Sequence, residues 1–227
     1  SSDVCSSDLA DVLPLFRRSE DQARGADRWH GTGGELARHL LDEAKLANVT
    51  VEITDQGDHY DPDARAVRLL RQHHDGRSVA AVAIAAHEVS HAIQHARLEP
   101  AFIRRIELVR QLIWVERLAM AVLFILPWTA FWGRSPALAA LNVAVVIALL
   151  GIGVVVHAVT LPVEFDASRR AKAMLATHGF IQGRAEAAGV SRVLNAAALT
   201  YVAAFITSLL YLLVYLLPLL SGSRDRE

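Results

Sequence analysis

The first clear pattern opens at Thr32. Leu36, Leu40 and Leu41 recur at helical spacing and fade near Leu46, and Thr32 with Glu35 three residues later is a capping-box pair. The period then changes to two: Val49-Thr50-Val51-Glu52-Ile53-Thr54 alternates and is β-branched, which predicts a strand. Asp61-Pro62-Asp63 is turn chemistry between His59-Tyr60 and Ala66-Val67-Arg68-Leu69-Leu70, and predicts a hairpin. Ser78 can cap a further helix running through Val79, Val82, Ala83 and Ala86 to about Arg97.

Beyond this small α+β region the pattern turns apolar. Residues 112–132 form the weakest run, interrupted by Glu116, Arg117 and Pro127, whereas 137–161 and 199–220 carry no acidic residue, lysine or arginine. Each reaches the ~20 residues that cross a bilayer. Between the last two lies a charged segment with Glu164, Asp166, Arg169, Arg170 and Lys172. A soluble protein of 227 residues is too short to enclose three such helices on all sides, so three transmembrane helices are expected. The composition agrees, with 53% hydrophobic residues and a mean hydropathy of +0.29. A net charge of -1 gives no footprint for nucleic acid. The one cysteine, Cys5, excludes an intrachain disulfide and a cysteine-based metal site.

Ser1-Ser2-Asp3-Val4-Cys5-Ser6-Ser7-Asp8-Leu9 has neither period and reads as translated sequencing-adapter sequence; the native N-terminus is expected to be missing. The expected organisation is therefore a non-native stretch over 1–9, an irregular segment over 10–30 and a head over 31–106. Two transmembrane helices follow over 107–161, then a third-ligand segment over 162–194, a transmembrane helix over 195–220 and a polar tail over 221–227.

The head carries the chemistry. His87-Glu88-Val89-Ser90-His91 places two imidazoles four residues apart on one helix, so both face the same side one turn apart. That spacing suits a shared Zn²⁺ at ~2.1 Å from each nitrogen. Such an ion acidifies water from a pKa of ~15.7 toward 7, and Glu88 beside it can take the proton. The alanine-rich approach (Ala80, Ala81, Ala83, Ala85, Ala86) suits a closely packed helix, in which an unpartnered His-Glu-x-x-His would be costly. A zinc hydrolase also needs a third protein ligand and one open position. His95, His157, His178, Glu99 and Glu164 are the candidates. His95 is two turns, ~12 Å of rise, from His87. His157 is deep in an apolar run. Glu164, beside Pro162 just after a span, is the best placed.

Three blocks extend the comparison: His87-Glu88-Val89-Ser90-His91-Ala92-Ile93-Gln94-His95, Leu161-Pro162-Val163-Glu164-Phe165-Asp166-Ala167-Ser168-Arg169-Arg170-Ala171 and Val193-Leu194-Asn195-Ala196-Ala197-Ala198-Leu199-Thr200-Tyr201-Val202-Ala203-Ala204. With Asp58-His59-Tyr60-Asp61-Pro62 and Gly76-Arg77-Ser78 they resemble the YugP-like bacterial membrane zinc metallopeptidases over residues 31–220. The resemblance implies zinc ligands at His87, His91 and Glu164, and a base at Glu88. Two departures stand out. Ser90 replaces the family's usual glycine, and the family's usual opening membrane helix has no counterpart here, as expected if the N-terminus is missing. In the similar HtpX-type membrane peptidases an aspartate four residues after the glutamate orients a zinc histidine. Ser168 holds that place here, which leaves the orienting role open between Asp166 and Asn195. Tyr201 is a candidate oxyanion donor, against the interface-anchor role usual for a tyrosine near a span end.

The expected fold is mainly α and membrane-embedded: a small α+β, zincin-like head with the His-Glu-x-x-His helix, plus three transmembrane helices. The expected function is zinc-dependent endopeptidase action on polypeptides, membrane proteins included, in the bacterial plasma membrane. Arg104, Arg105, Arg110, Arg169, Arg170, Lys172, Arg184 and Arg192 outnumber Arg134, Arg224 and Arg226, which places the active site on the cytoplasmic face. The rivals are a zinc-binding scaffold or chaperone without turnover, and a site-2-type intramembrane protease. The second expects a downstream Asp-Gly ligand, whereas Asp75-Gly76 lies upstream.

Overall fold

The computed structural model describes residues 31–133, 135–181 and 183–221, so the expectations for 1–30 and for the tail after Ser221 lie outside the described residues. The chain is mainly helical with one small sheet. It divides into a site-bearing unit, up to Phe102 and again over Val163–Ala198, and a second unit over Ile103–Pro162 and from Leu199.

The site-bearing unit begins with α1 (Gly33–Glu43). Its capping box forms as the sequence predicts: the Thr32 backbone N–H donates to Glu35 Oε2 at 2.7 Å, and the Glu35 N–H to Thr32 Oγ1 at 3.2 Å. Leu36, Ala37, Leu40 and Leu41 are its buried stripe. Strands β1 (Thr50–Thr54), β2 (His59–Asp61) and β3 (Ala66–Leu70) make one sheet in the order β1-β3-β2. The expected hairpin is present, with β2 antiparallel to β3 and Tyr60 opposite Val67. Asp61 Oδ1 closes its turn by accepting from the N–H groups of Asp63 and Ala64. β1 runs parallel to β3, a pairing that local periodicity does not encode. Arg68, on the central strand, reaches Glu52 on one neighbour and Asp61 on the other, a cross-strand clamp.

A four-residue helix, α2 (Arg71–His74), follows β3. Asp58 secures this join: Oδ1 accepts from the Leu70 N–H at 2.8 Å and Oδ2 lies 2.7 Å from His73 Nδ1. Ser78 then caps α3 (Val79–Ala96), its hydroxyl accepting from the Ala81 N–H. From Ala81 to Gln94 every residue of α3 except Ile84 is buried. Alanine makes that enclosure feasible, because small side chains let neighbouring backbone approach closely.

The remaining helices are long. They are α4 (Pro100–Gly133), α5 (Pro136–Thr177) and α6 (Gly183–Ser221). α5 and α6 are long and apolar enough to cross a membrane. At ~1.5 Å per residue the 42 residues of α5 extend ~63 Å, about twice the ~30 Å hydrocarbon core. Many apolar side chains among the described residues of the second unit are exposed, including Val155, Leu210, Val214 and Leu217. Lipid, not water, is the solvent that such a surface suits.

The charged segment after residue 161 is itself helical. α5 continues through Pro162, which cannot donate to the Ala158 carbonyl, and ends only at Thr177. Val163, Glu164, Ala167, Ala171, Met174 and Leu175 form its buried stripe in the site-bearing unit, and Val190, Leu194 and Ala198 do the same on α6.

Gly33 fixes how closely α1 approaches the start of α3. Its N–H donates to the Gly76 carbonyl at 2.9 Å, and a Cβ there would fall 2.3 Å from the His73 carbonyl oxygen and 3.0 Å from that of Ala81. Backbone cannot swing aside as a side chain can. Gly33→Ala is expected to destabilise the protein by about 1–3 kcal/mol through forced displacement, read as a lowered midpoint of thermal or denaturant unfolding in detergent.

Candidate metal centre

α3 supplies two imidazoles and α5 a carboxylate. The rings of His87 and His91 lie 4.8 Å apart between centroids at 86° to each other. Glu164 Oε2 is 3.2 Å from His87 Nε2 and 3.5 Å from His91 Nε2. One donor atom from each residue falls within 4.8 Å of the other two. Tetrahedral zinc with ligands at ~2.0–2.1 Å requires donor atoms ~3.3–3.4 Å apart, which the two histidine–carboxylate separations match. All three residues are buried, at 8%, 5% and 2% exposure, which a polar cluster tolerates only when its charges are compensated. The donor set, two nitrogens and one oxygen, also suits zinc chemically.

Glu88 is 7% exposed. Successive helical residues are about 100° apart, so its side chain leaves α3 about 60° around from His91 and about 100° from His87. Among the described residues its carboxylate has no hydrogen-bond partner. Ser90, where the resembling family has glycine, is accommodated inside the helix by donating its hydroxyl to the Ala86 carbonyl at 2.8 Å.

Each ligand histidine has an outer partner at Nδ1. For His87 it is Ser168 Oγ, at 3.3 Å. Ser168 thus occupies both the sequence position and the spatial role that the sequence comparison left unassigned. For His91 it is Gln94 Oε1, at 2.9 Å. Asp166 touches neither ring. It accepts from Gln94 Nε2 at 2.8 Å and from Arg169 and Arg170. Burial raises the Asp166 carboxyl, but the hydrogen bonds from Arg169, Gln94 and Arg170 outweigh it and hold the group below the usual carboxylate range. Arg170 is itself buried and also grips Glu99 through both carboxylate oxygens, at 2.7 and 3.0 Å. Burial still pushes Glu99 upward, an effect that Arg170 only partly offsets.

The other candidates are placed elsewhere. His95 Nδ1 lies 2.9 Å from the hydroxyl of Tyr60, whose pKa burial pushes up to about 12, so this phenol stays protonated. His178 Nδ1 is 3.2 Å from Glu43. Asn195 is exposed and accepts from Lys172. His157 and Tyr201 belong to the second unit, where His157 borders an apolar cavity of about 380 Å³. Sequence reasoning missed Gln94 and Ser168. The available signal was helical spacing: Gln94 is three residues from His91 on α3, and Ser168 four from Glu164 on α5.

The profile of the family described as "Putative neutral zinc metallopeptidase" matches residues 17–220. The chain belongs to that family. It is also 41% identical over 206 residues to the "Putative membrane protease YugP" of Bacillus subtilis (strain 168), covering 86% of this chain and 84% of that protein. No solved structure matches. Within this neutral zinc metallopeptidase family, the His87–His91–Glu164 cluster is the group of described residues able to hold a metal.

A hydroxyl is a weaker orienting partner than a carboxylate, but its loss removes the Ser168 hydrogen bond at His87 Nδ1. Ser168→Ala is expected to weaken zinc binding about tenfold, near the lower end for outer-partner substitutions, measured by chelator competition on the purified protein.

Proposed function

We propose that the protein is a membrane-bound zinc-dependent endopeptidase in which His87, His91 and Glu164 hold the ion and Glu88 is the general base. The observation that carries this reading is the buried convergence of two imidazoles and one carboxylate beside a glutamate engaged by no other described residue. The family assignment and the membrane-protease name of the relative support it. Bound in this cluster, zinc supplies a Lewis acid that acidifies water and polarises a peptide carbonyl. Glu88 takes the proton of the attacking water and delivers it to the departing amine. His87 and His91, with protons on Nδ1, keep their Nε2 lone pairs for the ion. The expected partners are polypeptides, membrane proteins among them, and the lipid bilayer. The overall charge offers nothing to nucleic acid.

A scaffold or chaperone that only binds zinc needs the three ligands but has no use for Glu88. Glu88→Gln keeps the shape of the side chain and removes its basicity. It is expected to lower kcat/KM on casein or a membrane-protein substrate by at least ~10²-fold while stoichiometric zinc is retained. Full activity in the variant would overturn the assignment of the base. Absence of metal-dependent cleavage by the unaltered protein would favour the scaffold.

For topology we read α4 as a third crossing beside α5 and α6, with the site on the cytoplasmic face and the C-terminus outside. Two crossings between α3 and Glu164 return the chain to the side it left, and the basic residues flank that side. Alkaline phosphatase joined after Glu227 is expected to be active, and inserted within 179–189 to be inactive. The opposite result reverses the orientation, and activity at both sites demotes α4 to a surface helix.

A further inference from the structure

Gln94 is fully enclosed, at 1% exposure, and its amide can be turned only one way. Nε2 faces two acceptors, the Val163 carbonyl at 3.3 Å and the Asp166 carboxylate at 2.8 Å. Neither has a proton to give: a backbone carbonyl accepts only, and Asp166 is already engaged by the guanidinium groups of Arg169 and Arg170. The amide must therefore present its NH₂ group to them. That turns Oε1 toward His91 Nδ1, 2.9 Å away, and an amide oxygen can only accept. The proton of the neutral His91 ring is thus held on Nδ1, and the lone pair falls on Nε2. Nε2 is the atom that lies 3.5 Å from Glu164 Oε2. The chain of dependence runs from the bidentate Glu99–Arg170 pair through Asp166 and Gln94 to the ligand atom of His91.

We propose that Gln94 is a positioning residue that fixes the tautomer and rotation of His91, and that Asp166 sets Gln94 in turn. The inference rests on the metallopeptidase reading of the site and assigns to the chain a second histidine-orienting device beside Ser168. It differs from a purely structural role in one respect, because the polarity of the hydrogen bonds matters as well as the packing. Asp166 Oδ2 accepts from both Gln94 Nε2 and Arg170 Nε. Asp166→Ala removes the carboxylate that turns the Gln94 amide, and its effect reaches His91 only where Gln94 is present to carry it.

The test measures zinc dissociation constants by chelator competition, with the visible absorption of the cobalt-substituted protein, on the full chain in detergent. Asp166→Ala and Gln94→Met are each expected to weaken zinc about 10–100-fold and to shift the cobalt spectrum. The double variant Q94M/D166A is expected to bind zinc within about threefold of Q94M, where independent structural losses would add. Single variants that bind zinc within about threefold of the unaltered protein, or losses that add in the double variant, would overturn the proposal. Gln94→Leu serves the same comparison if Gln94→Met fails to fold. An unaltered protein that takes up no zinc would overturn the metal centre and this inference together. The expected zinc pattern in a protein without proteolysis would uphold the positioning role and overturn the peptidase reading alone.

Discussion

Two imidazoles and a carboxylate share one buried point, and the site-bearing unit is arranged around the cost of keeping them there. An unpaired buried polar group costs on the order of 1–3 kcal/mol, and more when charged. Three such groups at one point would consume a large share of the marginal stability of an ordinary domain. The surrounding sequence answers this in two ways. Alanines from Ala81 to Ala86 let α3 be enclosed with few gaps, and polar side chains are placed where each ring has a nitrogen left over.

The charges are layered. Behind the ligand rings, at their Nδ1 atoms, stand neutral groups, the Gln94 amide and the Ser168 hydroxyl. Behind Gln94 come Asp166 and Arg170, with Glu99 behind them. This order keeps a full negative charge off His91 Nδ1 while fixing the ring through an intermediary. It also makes Arg170 a point of vulnerability, since removing a buried guanidinium from between two carboxylates takes both of its hydrogen bonds from Glu99 and one of the donors from Asp166.

Much of this was legible in sequence because the signals are local. The capping box at Thr32 and Glu35, the turn at Asp61-Pro62-Asp63 and the Ser78 cap each depend on residues a few places apart, and each forms as expected. Glu164 was legible because its position beside an apolar run narrowed the choice. The parallel partner of β1 was not, since a strand's period says which faces it shows and not which strand it joins. Nor was the run of α5 through Pro162, since a proline removes one hydrogen bond from the helical ladder without dictating whether the helix stops. Gln94 and Ser168 went unread because their roles lie in the direction of a hydrogen bond, which requires coordinates. Of the three expected crossings, two helices among the described residues, α5 and α6, have the length and apolar character by themselves.

The continuity of α5 has a consequence for how such a chain can vary in length. Loops absorb inserted or deleted residues because their ends need only meet. No loop separates the apolar run from Glu164; a single helical rod carries both. One residue gained or lost between Glu164 and Ser168 would turn one against the other by about 100° and shift it by about 1.5 Å along the axis. Either the carboxylate or the hydroxyl would then leave His87. That turn of α5 is therefore a measured distance, in which side chains can drift but the number of residues cannot.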